Sequence, residues 1–284
     1  MIVAETATGF QFVTQPAHAA LAGQFADHWG TDRFDRPEQF ASLALAAYTH
    51  DDGWYGYDRR PHLDGSGEPV DFREMPPKPW IDLYEDGIDD VAATDAYAGL
   101  LVSMHGAGLR KQRYGLSPNW PPTPPEFEDF LGREHRRQDQ LVAQLLHDGQ
   151  SPVSDTDRRL LQSLHDSNTV PDGYDGQLWP DYRRLQAWDE LSLAFCITDS
   201  PPGYAEIDGV PTTGPRGGTT LSISAAGEQT YRIDPYPFDT VPLEVLVPYR
   251  TVPKKAVTDD ESLVSAYYDA RRATRSITLV PAES

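Results

Sequence analysis

The chain has one cysteine, Cys196, three methionines and four lysines in 284 residues. Each scarcity removes a class of explanation. A single cysteine allows no intramolecular disulfide and no cysteine-built zinc site. Its apolar setting, Leu193-Ala194-Phe195-Cys196-Ile197, fits a small core residue rather than a nucleophile. No apolar run is long enough to span a membrane, so no membrane partner is expected. The opening residues, Met1-Ile2-Val3-Ala4-Glu5, lack the basic start and apolar core of a signal peptide, and a cytoplasmic protein is expected. Positive charge is also scarce: 24 basic residues face 44 acidic ones, a net charge of -20. Duplex nucleic acid is therefore not an expected partner, because binding phosphate backbones needs basic patches.

The acid is spread along the whole chain, and aspartate outnumbers glutamate. Lysine occurs only at Lys78, Lys111, Lys254 and Lys255. This pattern fits a protein kept soluble in high salt, where screening removes self-repulsion. A halophilic source organism is the expectation.

Short strands are expected between Ile2 and Val13, then a helix opened by Thr14-Gln15-Pro16, with Pro16 in the first turn. A second helix, Phe40 to Thr49, ends in His50-Asp51. Residues Tyr55 to Asp90 are rich in Pro, Gly, Asp and Trp without a helical period, and read as a long loop covering a site. Helices are expected again at Asp95–Gly106, Glu126–Leu146, Asp155–Leu164 and Tyr182–Cys196. Beyond about residue 201 the reading changes to strands. Thr219–Ser224 and Tyr231–Ile233 form a hairpin. Leu243–Tyr249 and Ser276–Val280 are further strands, with a helix at Asp259–Arg272 between them. The expected fold class is mainly α: a helical metal-binding body at 14–200, with a small antiparallel sheet built from 1–13 and 201–284.

The chemistry centres on Tyr48-Thr49-His50-Asp51-Asp52-Gly53-Trp54. An adjacent imidazole and carboxylate at the end of a buried helix are costly to bury unless they are paired or bind a metal. His18, His105 and Asp189 lie on three other expected helices. Neutral imidazoles with carboxylates suit Fe, Mn, Zn, Ni or Co. The alternative readings are a core histidine for His18, a helix-closing residue for His105, a surface or capping residue for Asp189, and a turn before Gly53 for Asp52.

The order His, His-Asp, distant Asp resembles the HD superfamily of metal-dependent phosphohydrolases. Gln15-Pro16-Ala17-His18, Leu45-Ala46-Ala47-Tyr48-Thr49-His50-Asp51-Asp52-Gly53 and Trp188-Asp189-Glu190-Leu191-Ser192-Leu193 carry the likeness. Over nearly its entire length the chain also resembles an uncharacterised prokaryotic domain-of-unknown-function family. There the marks are Thr14-Gln15-Pro16-Ala17-His18, His50-Asp51-Asp52-Gly53-Trp54, Ser103-Met104-His105-Gly106, Asp189-Glu190-Leu191-Ser192-Leu193 and Asp234-Pro235-Tyr236-Pro237-Phe238. The HD resemblance implies an HD-like bundle with His18, His50, Asp51 and Asp189 around one divalent transition metal. Some HD branches hold two ions, and His105 lies in the interval where their extra histidines fall. The resemblance further implies hydrolysis of a nucleotide or small phosphate ester. The alternatives are a di-iron oxygenase and a non-catalytic, metal-stabilised binding protein. Asp52 is expected to orient water or carry a proton, and Trp54 to stack on substrate. Trp54 stands where HD proteins often have a lysine, and the nearby Arg110, Lys111 and Arg113 can supply that charge, Arg110 and Lys111 above all. Gln15 and His28 are expected to support the ligands from behind.

Overall fold

The protein is described here by a computed structural model, which covers residues 1–147, 152–197, 204–214 and 217–282. The chain starts with a hairpin of β1 (Ile2–Glu5) and β2 (Gly9–Val13). Thr14 then caps α1 (Gln15–Asp27): its side chain accepts the Ala17 N–H, and Pro16 sits in the first turn, where no N–H is needed. Next comes α2 (Phe40–Thr49), which closes at His50. A 3-10 turn, Asp52–Trp54, and the single-turn α3 (Tyr55–Asp58) follow. The remaining helices of this half are α4 (Pro77–Thr94), α5 (Ala96–Arg110), α6 (Glu128–His147), α7 (Asp155–Ser167) and α8 (Leu178–Cys196). The second half holds β3 (Tyr204–Val210), β4 (Thr219–Gly227), β5 (Thr230–Asp234), β6 (Leu243–Pro253), α9 (Asp260–Asp269) and β7 (Ala273–Pro281).

The architecture corrects the expected fold class. Among the described residues helix makes up 51% and strand 20%, and the strands form one seven-stranded mixed sheet instead of a small antiparallel one on a helical bundle. Its order is β1-β2-β6-β7-β5-β4-β3. β6 is the reason for its size. Eleven residues long, it pairs with β2 through Arg250–Pro253 and with β7 through Leu243–Tyr249. Leu243, Val245 and Val247 point inward, and Glu244 and Leu246 outward, as a half-buried strand requires. β7 then pairs in parallel with β5, which fuses two antiparallel ribbons into one sheet. Such long-range pairings leave no mark in the pattern of any single strand. The boundary expected at 200/201 lies outside the described residues.

The long loop expected over Tyr55–Asp90 is also corrected. Its last part is α4, whose Trp80, Tyr84, Ile88 and Val91 recur at helical spacing and are buried. Pro77 and Pro79 occupy the first turn, where proline does not break a helix, and their presence hid the period.

α8 is the axis of the helical layer. Trp179 to Asp189 are buried without a break, so this helix has no solvent face over that stretch. α1 packs on α2 and α8, and α5 packs on α2, α4, α6 and α8. The layer meets the sheet where α1 crosses β6 and α8 meets β3. Phe238 docks on Phe25 and Trp29 of the helical layer. Among the described residues no helix is long and apolar enough to cross a membrane.

Candidate metal centre

Four helices bring ionisable side chains to one buried point. α1 supplies His18, the end of α2 supplies His50 and then Asp51, α5 supplies His105, and α8 supplies Asp189. All five are no more than 3% exposed. His18 Nε2 lies 3.0 Å from Asp189 Oδ1 and 3.3 Å from His50 Nε2. Asp51 Oδ2 is 3.7 Å from both Nε2 atoms, and Asp189 Oδ1 is 3.6 Å from that of His50. His50, His105 and Asp189 form a second triad whose ligand atoms lie within 4.8 Å of one another.

The atoms that face away from this point are each held. His50 Nδ1 donates to the Ala47 carbonyl at 2.9 Å. His18 Nδ1 meets Ser192 Oγ at 2.7 Å, and the Ser192 hydroxyl itself donates to the Asp189 carbonyl at 2.9 Å. With the serine hydrogen on the Asp189 carbonyl, His18 Nδ1 is the donor to Oγ. In their neutral forms both imidazoles then turn the lone pair of Nε2 inward. The carboxylates are divided the same way. Asp51 Oδ1 accepts the Tyr84 hydroxyl at 2.9 Å, and Asp189 Oδ2 accepts Arg113 Nη2 at 2.8 Å, which leaves one oxygen of each facing the centre. Gln186 Nε2 lies 3.0 Å from His105 Nδ1, and Gln186 Oε1 has no partner. With that amide turned over, Oε1 accepts the Nδ1–H and His105 keeps the free lone pair on Nε2.

The electrostatics call for positive charge. Burial depresses His50, but Asp51 and Asp189 override it and push the imidazole up to about 9. Burial would raise Asp189; the adjoining imidazoles of His18 and His50 and the Arg113 guanidinium override it and hold the carboxyl well below the usual range. Burial pushes His105 down to about 4, so that imidazole is neutral and fit to coordinate.

These donors fit a divalent transition metal. Ligands ~2.1 Å from a shared ion lie about 3.0 Å apart at a right angle and about 3.4 Å apart at the tetrahedral angle. The separations of His18 and His50 from each other and from Asp51 and Asp189, 3.0 to 3.7 Å, cover those values. Outer partners of the kind that orient ligands in metal sites are present for both carboxylates and all three histidines.

The model of a family described as "Protein of unknown function (DUF3891)" matches residues 1–254. The chain belongs to this family. The match spans every member of the centre, from His18 to Asp189. No curated protein and no solved structure matches the chain.

Within this DUF3891 chain the structure gathers His18, His50, Asp51, His105 and Asp189, and sends other expected residues elsewhere. Asp52 follows directly on the exposed side. Trp54 is 1% exposed and packs edge-on against Tyr57 and Tyr84, so it is a core side chain and not a stacking surface. Arg110 lies between the rings of Trp80 and Phe127, 3.9 and 4.1 Å from their centroids. Lys111 donates to the His165 carbonyl at 2.7 Å. His28 pairs with Asp239 at the far end of α1. Gln15 is buried one turn before His18, and its backbone N–H donates to Asp58.

The cation that does reach the centre is Arg113. It holds Asp189, pairs with Glu190 and lies 4.9 Å from the Trp120 ring centroid. Its backbone is left-handed, as are its neighbours Gln112 and Tyr114, with φ of 50°, 52° and 53°. Three consecutive non-glycine residues in that region store strain, and such strain gathers at functional sites. Ser192, Tyr84 and Gln186 are the other contributors that sequence reasoning did not assign. Only Ser192, one turn after Asp189, carried a signal in its spacing.

Proposed function

We propose that the protein is a metal-dependent hydrolase of small phosphate esters, such as a nucleotide or a phosphorylated metabolite. One observation carries the reading: inward-facing imidazole and carboxylate donors converge beside a buried guanidinium, Arg113, whose Nε has no hydrogen-bond partner. The HD-like order of His18, His50-Asp51 and Asp189 supports it.

His18, His50, Asp51, His105 and Asp189 would hold the ion. A neutral imidazole nitrogen has one lone pair, and His50 belongs to both triads. The arrangement therefore favours one ion over two, and a hydrolase over a di-iron oxygenase. When bound, a divalent ion would polarise a phosphoryl oxygen and lower the pKa of a bound water. Arg113 would position the phosphoryl group: Nη2 is committed to Asp189, and Nε remains free to donate to an anionic oxygen. Asp52, exposed next to the pair, would carry the released proton out to solvent.

A second reading has its own support. Closed metal sites are characteristic of structural ions. Donors no more than 3% exposed fit an ion that only holds α1, α2, α5 and α8 together. Assays decide between the two. The protein is loaded in turn with Mn, Fe, Co, Ni and Zn and assayed on p-nitrophenyl phosphate and a nucleotide panel. Phosphate release that depends on the metal and is lost in Asp189→Ala supports the hydrolase. Stoichiometric metal with no turnover under any loading overturns it in favour of the structural ion.

A further inference from the structure

α1 has a second working face. Successive residues of a helix lie roughly 100° apart around its axis. His18 looks toward α8, and Pro16, Ala17 and Ala20, on other sides of the helix, line a cavity of about 480 Å³. Its other walls come from β2, α3, β6 and the stretch from the end of α9 to Arg272. Arg59, Arg250 and Arg272 all line it. None of the three has a carboxylate partner among the described residues. Arg250 donates to the Ala270 carbonyl and lies 5.1 Å from the Tyr267 ring centroid, and Arg59 lies 5.7 Å from that of Tyr55. Asp58 is the single acid in the lining, and it is already committed to the amino terminus at 2.7 Å and the Gln15 N–H at 2.6 Å.

This grouping runs against the rest of the molecule. With a net charge of -20, any guanidinium has acids in abundance to pair with. Three that instead share one cavity repel each other until an anion enters. The guanidinium fork matches phosphate oxygens two at a time. The walls also offer flat apolar surface: Tyr55 is 62% and Tyr268 52% exposed at the rim, with Tyr249 beside them. Exposed aromatic surface next to convergent charge is the composition of a ligand site. The volume suits a molecule of mononucleotide size.

We infer that this cavity binds an aromatic phosphomonoester, its phosphate held by Arg59, Arg250 and Arg272 and its ring lying against the tyrosines at the rim. The site is distinct from the metal centre and does not depend on the metal reading. AMP is a suitable probe, with adenosine and inorganic phosphate as its two halves. Calorimetric titration of the full chain is expected to give saturable one-to-one binding of AMP. Each half should bind at least about tenfold more weakly. Arg59 and Arg272 are exposed, so the double variant Arg59→Ala/Arg272→Ala should keep its circular dichroism spectrum and its metal content. Its affinity for AMP should fall by roughly tenfold or more. The inference is overturned by absence of saturable binding up to about 5 mM AMP, far above common ligand affinities. It is equally overturned if adenosine binds as tightly as AMP, or if the double variant binds AMP unchanged.

Discussion

Two Nε2 atoms at 3.3 Å, both facing inward, are tolerated only with positive charge beside them. The centre is therefore defined as much by what orients its ligands as by the ligands. Ser192 is the clearest case, because its hydroxyl fixes the tautomer of His18. Ser192→Ala is expected to fold and to bind metal 10- to 100-fold more weakly, roughly the effect of losing an outer hydrogen bond. Competition against a chelator measures it, and an unchanged affinity contradicts the role. Arg113→Lys should keep the charge beside Asp189 but lose the fork. Metal content should persist while phosphate release falls by about tenfold or more, read from kcat/KM. At this scale much was legible in the sequence. The five candidate ligands fall within the quoted motifs, on four helical segments. Arg113 was only one of three nearby cations, and its selection depends on the left-handed path through Gln112, Arg113 and Tyr114, which no glycine announces.

Among the elements, the join between the His50-Asp51 segment and α4 is tightest. A Cβ on Gly53 would come within 2.0 Å of the Leu83 carbonyl oxygen, and one on Gly87 would meet Gly53 N at 2.9 Å. The two glycines let the turn after Asp51 lie directly on the α4 backbone. Gly53→Ala should cost about 1–3 kcal/mol by overpacking and weaken the metal site with it. Thermal melting with and without added metal tests this; an unchanged melting temperature is the contrary result. At the interface of α5 and α6, Glu134 is fully buried and accepts the Ser103 hydroxyl at 2.8 Å. Burial pushes its carboxyl up to about 7; Glu85 adds to the rise, and Ser103 and Arg133 oppose it. Arg137 pairs with it at 3.1 Å. Between about 4.5 and about 7 the folded state keeps a proton that the unfolded chain releases, so stability falls as pH rises through that window. Glu134→Gln removes this loss. The variant should gain on the wild type from pH 5 to pH 8, by on the order of 3 kcal/mol at most. A difference that does not grow with pH counts against it. Element types were legible where period and caps agreed, as for α1 and α2. α4 was hidden by two prolines in its first turn, and the breadth of the sheet by pairings between distant segments.

For the whole molecule, 44 acids against 24 bases set up a self-repulsion that salt screens. The melting temperature should rise by several degrees between about 0.1 M and about 2 M sodium chloride. A flat or falling curve contradicts the halophilic reading. Two sites stand out against this charge: the buried candidate metal centre, and the cavity of three arginines on another side of α1. The central claim is the metal, and elemental analysis of the purified protein tests it most directly. The account predicts about one equivalent of a divalent transition metal per chain, since His50 has one lone pair to give, and its loss in His50→Ala. Metal well below about 0.1 equivalent after growth and purification with metals present would contradict the centre itself.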